Sequence, residues 1–307
     1  MSDKLLFLGG GYPKNEDRSR VLDVKEGTVK LGRHYPISTS MHASVRLSDT
    51  QVLITGGVDH CDYGTDLCVV YEAERFKKVN PMREKRHNHA ITTMADATIL
   101  VSGGYNDSSG SLDTMEIMTD GMWHGYPVRM WSRLLGHCTV TLPNAKILFI
   151  GGTNGHFTVP YCSLLDPDYR RFEMAASMCM PRVNHTATYI GHGLVLVAGG
   201  NKTTSPNQTM YNDDTDGTWE KEYKEMRTAS CEIYNIVDDK WYTTDPMNFK
   251  RAGHTATLLS TGVVLVIGGT ENTTRCEMYL PSIRIWKLLE FLADVPYDKC
   301  FFTCVKL

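Results

Sequence analysis

The sequence predicts an all-β protein, a six-bladed β-propeller with four antiparallel strands in each blade. A Gly-Gly doublet recurs six times, always directly after a short apolar run such as VLITGG or ILFIGG. The first glycines of successive doublets are 47 or 48 residues apart, except for a final interval of 69. A strand and a glycine pair repeated at this period are typical of a propeller. The doublets are Gly9-Gly10, Gly56-Gly57, Gly103-Gly104, Gly151-Gly152, Gly199-Gly200 and Gly268-Gly269.

The first strand of each blade is predicted where a histidine begins an alternating segment. The histidine stands fourteen residues before the first glycine of the doublet in five repeats. The segments after it, such as HASVRL and HTATLL, alternate as a half-buried strand does. The five histidines are His42, His89, His137, His185 and His254.

The other three strands follow from the rest of the repeat. The apolar run before the doublet is continuous, which is typical of a strand buried on both faces between neighbouring blades. Glycine allows the backbone to turn outward where this second strand ends. A third strand such as CEIYN comes next, and most repeats then place a bulky aromatic in a fourth strand, where it fills the widening gap between blades. These aromatics are Phe76, Trp123, Phe172, Trp241 and Trp286.

The first repeat lacks its first strand, and the end of the chain is predicted to supply it. FFTCVKL at 301–307, read on into MSDKLLFLGG, aligns with MHASVRL followed by SDTQVLITGG. Phe302 then falls fourteen positions before Gly9, counted around the join. We therefore expect one domain over 1–307, with blade 1 built from 1–35 and 300–307 and no unpaired sheet edge between the first and last blades.

Composition excludes several classes of partner. The net charge of −3 gives no strong field for nucleic acid or anionic membrane. Four apolar residues after Met1-Ser2-Asp3-Lys4 are too few for a signal-peptide core, so we expect a cytoplasmic protein. The nine cysteines form no Cys-x-x-Cys motif and are interpreted as small core residues in a reducing compartment. Cys231 and Cys276 occupy equivalent places in different repeats, so they are not expected to form a disulfide.

The repeat resembles the kelch motif across essentially the whole chain. The resemblance is clearest at 251–286, where RAGHTATLL, VVLVIGG, RCEMY and Trp286 follow one another. Kelch domains often bind other proteins as substrate receptors of ubiquitin ligases or as cytoskeletal adaptors. The resemblance therefore implies a protein or peptide partner and, in kelch propellers, places the histidine position near the mouth of the central channel.

Arginines precede three of these histidines by three residues. Arg86, Arg182 and Arg251 stand before His89, His185 and His254, and Arg133 stands four before His137. A ring of arginine and histidine at the channel mouth is suited to an acidic peptide through charge-assisted hydrogen bonds. The alternative is that each histidine is a structural part of its own blade, since a residue repeated in every blade usually serves the blade. Metal binding is not expected, because ligands around an open axis cannot all approach one ion.

The loops after the doublets are the second candidate surface. The fifth repeat carries an insertion at about 201–228, which is either a tolerated surface insertion or a partner-contacting loop. It is acidic and contains the aromatics Trp219 and Tyr223. The shorter loops of the second and third repeats carry Tyr63 and Tyr105.

One string suggests a metal enzyme. Glu116, Asp120 and His124 are spaced four apart and resemble the iron motif of plant specifier proteins, which are also kelch propellers. Glu116 is already explained as a strand position, and Asp120-Gly121 reads as a hairpin turn. We therefore predict a non-catalytic interaction module with no cofactor and no metal. The alternative is a kelch-type enzyme or metal-dependent converter of small molecules, resembling a specifier protein or galactose oxidase.

Overall fold

The computed structural model describes residues 3–9, 18–34, 40–59, 61, 63–202, 226–269, 276–289 and 302–307. These residues form six four-stranded antiparallel sheets and one two-stranded hairpin. The strands in chain order are β1 (Lys4–Leu8), β2 (Arg18–Asp23), β3 (Thr28–His34), β4 (Ala43–Arg46), β5 (Gln51–Thr55), β6 (Cys68–Glu72), β7 (Arg75–Val79), β8 (Ala90–Thr93), β9 (Ile99–Ser102), β10 (Tyr105–Asn106), β11 (Gly110–Ser111), β12 (Met115–Thr119), β13 (Met122–Gly125), β14 (Cys138–Thr141), β15 (Ile147–Ile150), β16 (Cys162–Asp166), β17 (Arg171–Ala175), β18 (Thr186–Gly191), β19 (Leu194–Ala198), β20 (Cys231–Asn235), β21 (Lys240–Thr244), β22 (Thr255–Leu258), β23 (Val264–Ile267), β24 (Cys276–Leu280), β25 (Ile285–Leu289) and β26 (Thr303–Lys306).

Each four-stranded sheet is one blade of a closed six-bladed propeller. Blades 1 to 6 are β26-β1-β2-β3, β4-β5-β6-β7, β8-β9-β12-β13, β14-β15-β16-β17, β18-β19-β20-β21 and β22-β23-β24-β25, written from the axis outwards. The innermost strand of every blade contacts the innermost strands of both neighbouring blades, so the ring has no gap. The predicted fold class is confirmed.

Ring closure depends on the last strand of the chain. β26 pairs antiparallel with β1, with Leu5 opposite Lys306 and Leu8 opposite Thr303. Asp3 strengthens the join, because its carboxylate lies 2.6 Å from Lys306 Nζ and also accepts hydrogen bonds from the amide and hydroxyl of Ser260 in blade 6. The prediction that the C-terminal strand completes the N-terminal blade is confirmed.

The core lies between the blades. Second strands such as β15 and β19 are buried along nearly their whole length, and their side chains pack together with Trp241 in one cluster between blades 4 and 5. The Trp241 indole also donates a 2.8 Å hydrogen bond to the Ala176 carbonyl across this gap. Trp241 therefore joins blades 4 and 5 both by apolar burial and by a polar contact.

The Gly-Gly doublet lies between two histidines, which explains why the two motifs keep a fixed spacing. Gly103 has a φ of 58°, and a Cβ there would lie 2.9 Å from Cε1 of His137 in the next blade and 2.3 Å from the Leu134 carbonyl oxygen. A Cβ on Gly104 would lie 2.8 Å from Cβ of His89 in the same blade. Only glycine combines this backbone conformation with so close an approach.

The residues just before the histidines form a hydrogen-bonded belt around the axis. The amide of Asn88 donates to the carbonyl of Met41 at 2.8 Å, and the pattern continues from Gly136 to Asn88, from Asn184 to Gly136 and from Gly253 to Asn184. All five belt residues have φ between 53° and 63°. The belt links successive blades at the end of the propeller that carries the doublets. We call this end the doublet face; it also carries the loops between second and third strands and those between successive blades.

Candidate functional site

The three arginines are buried inside their blades. Arg86, Arg182 and Arg251 are each at most 1% exposed. Each donates from Nη1 to the carbonyl of the first doublet glycine, at 2.7 Å for Gly103, 2.8 Å for Gly199 and 2.7 Å for Gly268. Each also pairs with a glutamate of the third strand, at 2.9 Å for Glu116, 2.9 Å for Glu232 and 3.0 Å for Glu277.

The glutamates complete the network by accepting backbone amides. Glu116 accepts from the amide of Arg83 at 2.7 Å and from that of Glu84 at 3.2 Å. Glu277 accepts from the amides of Asn248 and Phe249 in the same way. A buried ion pair persists only when its desolvation is offset by such additional hydrogen bonds. The Arg–Glu pair therefore fastens the loop between blades to the third strand.

This burial corrects the expectation that Arg86, Arg182 and Arg251 line the channel mouth and contact an acidic peptide. Each guanidinium already has a carboxylate partner within its own blade. A partner protein could not reach these groups without opening the blade. Arg133, the fourth arginine, is exposed.

Four of the five histidines join neighbouring blades through a ring nitrogen. Nε2 of His42, His89 and His137 lies within 3.0 Å of a hydroxyl oxygen on the preceding blade, from Thr303, Thr55 and Ser102 respectively. His254 bonds Thr186 in the same manner. His185 departs from this pattern because Cys138 stands where Thr186 stands in the next blade, and neither of its ring nitrogens has a partner within the described residues. The alternative interpretation, a structural role for the histidines, fits these contacts.

Burial keeps four of these imidazoles, those of His89, His137, His185 and His254, neutral at pH 7. Loss of hydration, together with the nearby Arg86 and Arg182 guanidinium groups, lowers the pKa of His137 to about 4 and that of His185 to about 3. The same kinds of cause hold the pKa values of His89 and His254 well below the ordinary value. Neutral imidazoles do not supply the positive charge that an acidic peptide would need.

A small polar cavity of about 130 Å³ lies on the axis at the doublet face. The five histidines line it with the belt residues. Its side chains other than histidine are Met41, Asn88, Asn184 and Phe302. Phe302 interrupts the histidine ring in blade 1, where its ring packs 6.0 Å from that of Phe7. The cavity has room for a few water molecules rather than for a folded peptide segment.

The aromatic residues predicted to contact a partner differ in their exposure. Tyr63 is 64% exposed in the loop of blade 2. Tyr105 is only half-buried, with its ring 5.4 Å from that of His87, and it begins the small β10–β11 hairpin. Asp107 on this hairpin accepts the Gly64 amide at 2.7 Å, which ties the loops of blades 2 and 3 together. Trp219 and Tyr223, with the insertion around them, lie outside the described residues.

Blade 4 differs from blades 3, 5 and 6 because it has no Arg–Glu pair. Leu134 stands three residues before His137, and Ser163 takes the glutamate position on the third strand. An open, mainly apolar cavity of about 250 Å³ occupies this region and contacts both residues. We call it the blade 4 pocket. Its remaining lining residues are Met130, Trp131, Ser132, Phe149, Gly151, Val159, Tyr161, Cys162 and Met174.

The rim of the blade 4 pocket is exposed and aromatic. Trp131 is 57% exposed, Tyr161 62% and Met174 61%. Phe157, in the adjoining loop, is 49% exposed. A group of large apolar side chains around an open cavity is typical of a binding site, whereas isolated ones are common on any surface.

The iron-like string does not form a metal site. Glu116 is buried against Arg86, and Asp120 occupies the predicted hairpin turn with a φ of 52°. The described part of the chain brings no three His, Cys, Asp or Glu side chains together in a metal-binding arrangement. The eight described cysteines are free thiols, Cys231 and Cys276 among them, as the sequence predicted.

The partners of the arginines are the functional residues that sequence reasoning missed. Glu116, Glu232 and Glu277 occur in the same three blades that carry Arg86, Arg182 and Arg251. This pairing of a cation with an anion from blade to blade is visible in the sequence and would have indicated an internal ion pair. The pair is also absent from blade 2, where Thr39 and Val69 hold the two positions, so the sequence alone would not have singled out blade 4.

Comparisons with known proteins identify the fold but no family. No protein-family model matches the chain, and no curated protein matches its sequence. No helix within the described ranges is long and apolar enough to cross a membrane. The solved structure of YjhT is similar, with a TM-score of 0.72 and 13% sequence identity over 93% of this chain and 94% of YjhT. At this identity the likeness shows the six-bladed propeller fold alone.

Proposed function

We propose that this chain is a kelch-type propeller that acts as a non-catalytic adaptor and binds a partner protein at the blade 4 pocket on the doublet face. The exposed apolar rim of Trp131, Tyr161 and Met174 around an open cavity carries the proposal. Aromatic residues and methionine are enriched at protein interfaces, and a buried aromatic anchor often supplies most of the binding energy.

The remaining polar groups support a non-catalytic role. The histidines hold neighbouring blades together, and the buried arginines and glutamates hold loops to strands. We propose a cytoplasmic partner, of the kind that the kelch resemblance implies, from a ubiquitin ligase or the cytoskeleton. Tyr63 extends the proposed surface towards blade 2.

An affinity capture from cytoplasmic extract with matched variants tests the proposal. Trp131→Ser with Tyr161→Ser removes two exposed rings from the rim. The control, Tyr169→Ser with Val237→Ser, removes two exposed apolar side chains from turns between third and fourth strands, at the opposite end of the blades. We expect the rim variant to lose a partner that the wild type and the control both retain.

Capture of every partner by the rim variant at wild-type level would contradict the proposal, as would equal loss from both variants. Thermal unfolding of each variant excludes misfolding as the cause of a loss. All four side chains are largely exposed, so substitutions here are expected to change stability by no more than about 0.5 kcal/mol.

A further inference from the structure

In the blades that carry an Arg–Glu pair, the glutamate binds backbone amides of the loop between blades. In blades 3, 5 and 6 the glutamate carboxylate accepts the amide that stands six residues before the histidine, from Arg83, Cys179 and Asn248 respectively. In blades 3 and 6 it also accepts the next amide along the chain. The loop between blades therefore presents backbone amides that capture a carboxylate.

Blade 4 keeps the loop but has no carboxylate. The equivalent amides belong to Trp131 and Ser132, and Ser163 is too short to reach them as a glutamate does. Within the described ranges neither amide has an acceptor. The loop is anchored as in the other blades, since Met130 donates to the Asp113 carbonyl at 2.9 Å, as Met82 does to that of Asp66.

An acceptor is also left without its usual donor. The carbonyl of the first doublet glycine accepts a guanidinium in blades 3, 5 and 6. In blade 4 this carbonyl belongs to Gly151, and Leu134 replaces the arginine and has no side-chain donor. Gly151, Trp131 and Ser132 all line the blade 4 pocket.

The pocket therefore offers two amide donors and one carbonyl acceptor beside apolar walls. No charged side chain lines it. A free cation would have no carboxylate partner there, so a guanidinium or ammonium occupant is disfavoured. A ligand with a carboxylate and a neutral N–H donor matches the two free amides and the Gly151 carbonyl. An apolar side chain on the same ligand matches the walls formed by Trp131, Phe149 and Met174.

We propose that the blade 4 pocket binds the C-terminal end of a peptide whose last residue is apolar or aromatic. The terminal carboxylate takes the place of the missing glutamate on the amides of Trp131 and Ser132. The N–H of the last residue donates to the Gly151 carbonyl, and its side chain packs against the aromatic wall. Capture of a chain-end carboxylate by backbone amides is an established mode of peptide recognition. The inference rests on the proposed function and names the chemistry of the partner at the same site.

Titration of the ¹⁵N-labelled protein with N-acetyl-phenylalanine tests this directly. We expect saturable shifts of the Trp131 and Ser132 amide resonances. N-acetyl-phenylalanine amide has the same body without the charge and is expected to bind at least tenfold more weakly. Equal binding of the two compounds, or no shift at these two amides, would overturn the proposal. Free phenylalanine identifies the source of the ligand, since tighter binding than the acetylated compound would indicate an amino acid instead of a chain end.

A variant that copies the other blades provides the second test. Leu134→Arg with Ser163→Glu restores the buried pair and fills the pocket with groups that blades 3, 5 and 6 already accommodate. It is expected to abolish binding of N-acetyl-phenylalanine without lowering the melting temperature. Ser163→Ala leaves the pocket open and should bind as the wild type does. Wild-type binding by the filled variant would also contradict the inference.

The two proposals fail in different ways. Loss of a partner from the rim variant, together with no binding of N-acetyl-phenylalanine, would support the interaction surface and contradict the chain-end ligand. Binding of N-acetyl-phenylalanine without any rim-dependent partner would support the chain-end ligand and contradict the protein partner.

Discussion

The role of one position in the repeat depends on the residue at a second position. Arginine occupies the first position in blades 3, 5 and 6, as Arg86, Arg182 and Arg251. Each of these arginines occurs with a glutamate on the third strand of the same blade, and blade 4 lacks both. A buried charge without a partner is strongly unfavourable, so the two positions are expected to change together. Leu134 and Ser163 in blade 4 show that the fold accepts the joint replacement.

Removal of one member of an Arg–Glu pair should lower the stability of the protein strongly. Arg251→Leu leaves Glu277 buried without its cation, and we expect the free energy of unfolding to fall by about 3–5 kcal/mol. Arg251→Leu with Glu277→Ser, which copies blade 4, is expected to recover at least half of that loss. Unfolding in guanidinium chloride with an unchanged m-value measures both.

A surface pair provides the control for this prediction. Arg46 lies 2.8 Å from Asp49, whose side chain is 97% exposed. Arg46→Leu is therefore expected to cost less than about 1 kcal/mol. If the double variant in blade 6 proved as unstable as Arg251→Leu alone, the unpaired charge would not be the cause of the loss.

At the scale of elements, the strands that the sequence predicted best are those with a strong periodic or apolar signal. The second strands and the alternating first strands lie where the repeat placed them, and β26 joins blade 1 as the circular alignment predicted. The β10–β11 hairpin was not predicted, because two strands of two residues are too short to show a period. The insertion in blade 5 carried no such signal either, and 203–225 lie outside the described residues.

Removal of residues 302–307 should destroy the cooperative fold. The deletion takes away all of β26 and exposes the inner edge of β1, together with the apolar cluster that holds Leu5, Phe7 and Phe302. We expect aggregation, or loss of a single thermal unfolding transition followed by circular dichroism.

A milder change separates strand pairing from the ion pair at the same join. Lys306→Ala removes the partner of Asp3 but keeps the backbone of β26. This variant should retain one transition and lose about 1–3 kcal/mol, because the buried Asp3 carboxylate keeps its two hydrogen bonds from Ser260. A truncated protein that melts at the wild-type temperature would contradict the role of β26 in closing the ring.

At the scale of the whole molecule, the histidines make the stability of the ring depend on pH. Buried imidazoles between blades have lowered pKa values in the folded state, about 4 for His137 and about 3 for His185. The unfolded chain protonates these groups near pH 6.5, before the folded chain does. Their contribution is therefore complete above pH 6.5 and is lost as the pH falls from there towards about 4.

The free energy of unfolding should accordingly decrease steeply between pH 6.5 and 4. Each fully buried imidazole contributes a slope of up to about 1.4 kcal/mol per pH unit. His137→Gln is expected to reduce the total slope by about that amount. Denaturant unfolding from pH 7 to pH 4 gives the slopes. Identical pH dependence of the wild type and His137→Gln would contradict this account.

The fold was easier to predict than the site for a physical reason. Six copies of one blade repeat the same steric requirements, as Gly103 and His137 illustrate, so the pattern is reinforced along the chain. The blade 4 pocket arises where Leu134 and Ser163 replace the arginine and the glutamate, and such a replacement resembles ordinary variation until the paired contacts of blades 3, 5 and 6 are known. Arginine is expected at the surface because charge usually lies there, and only the glutamates explain the burial found here.

The belt of backbone hydrogen bonds couples blades 2 to 6 mechanically at the doublet face. Met41, Asn88, Gly136, Asn184 and Gly253 are each linked to the next, so no one of these blades can tilt outward without stretching a bond to its neighbour. An outward displacement of blade 4 is therefore resisted by the bonds to blades 3 and 5 on its two sides. The surface that we propose for docking at blade 4 therefore lies on a framework that changes shape only when the neighbouring blades move with it.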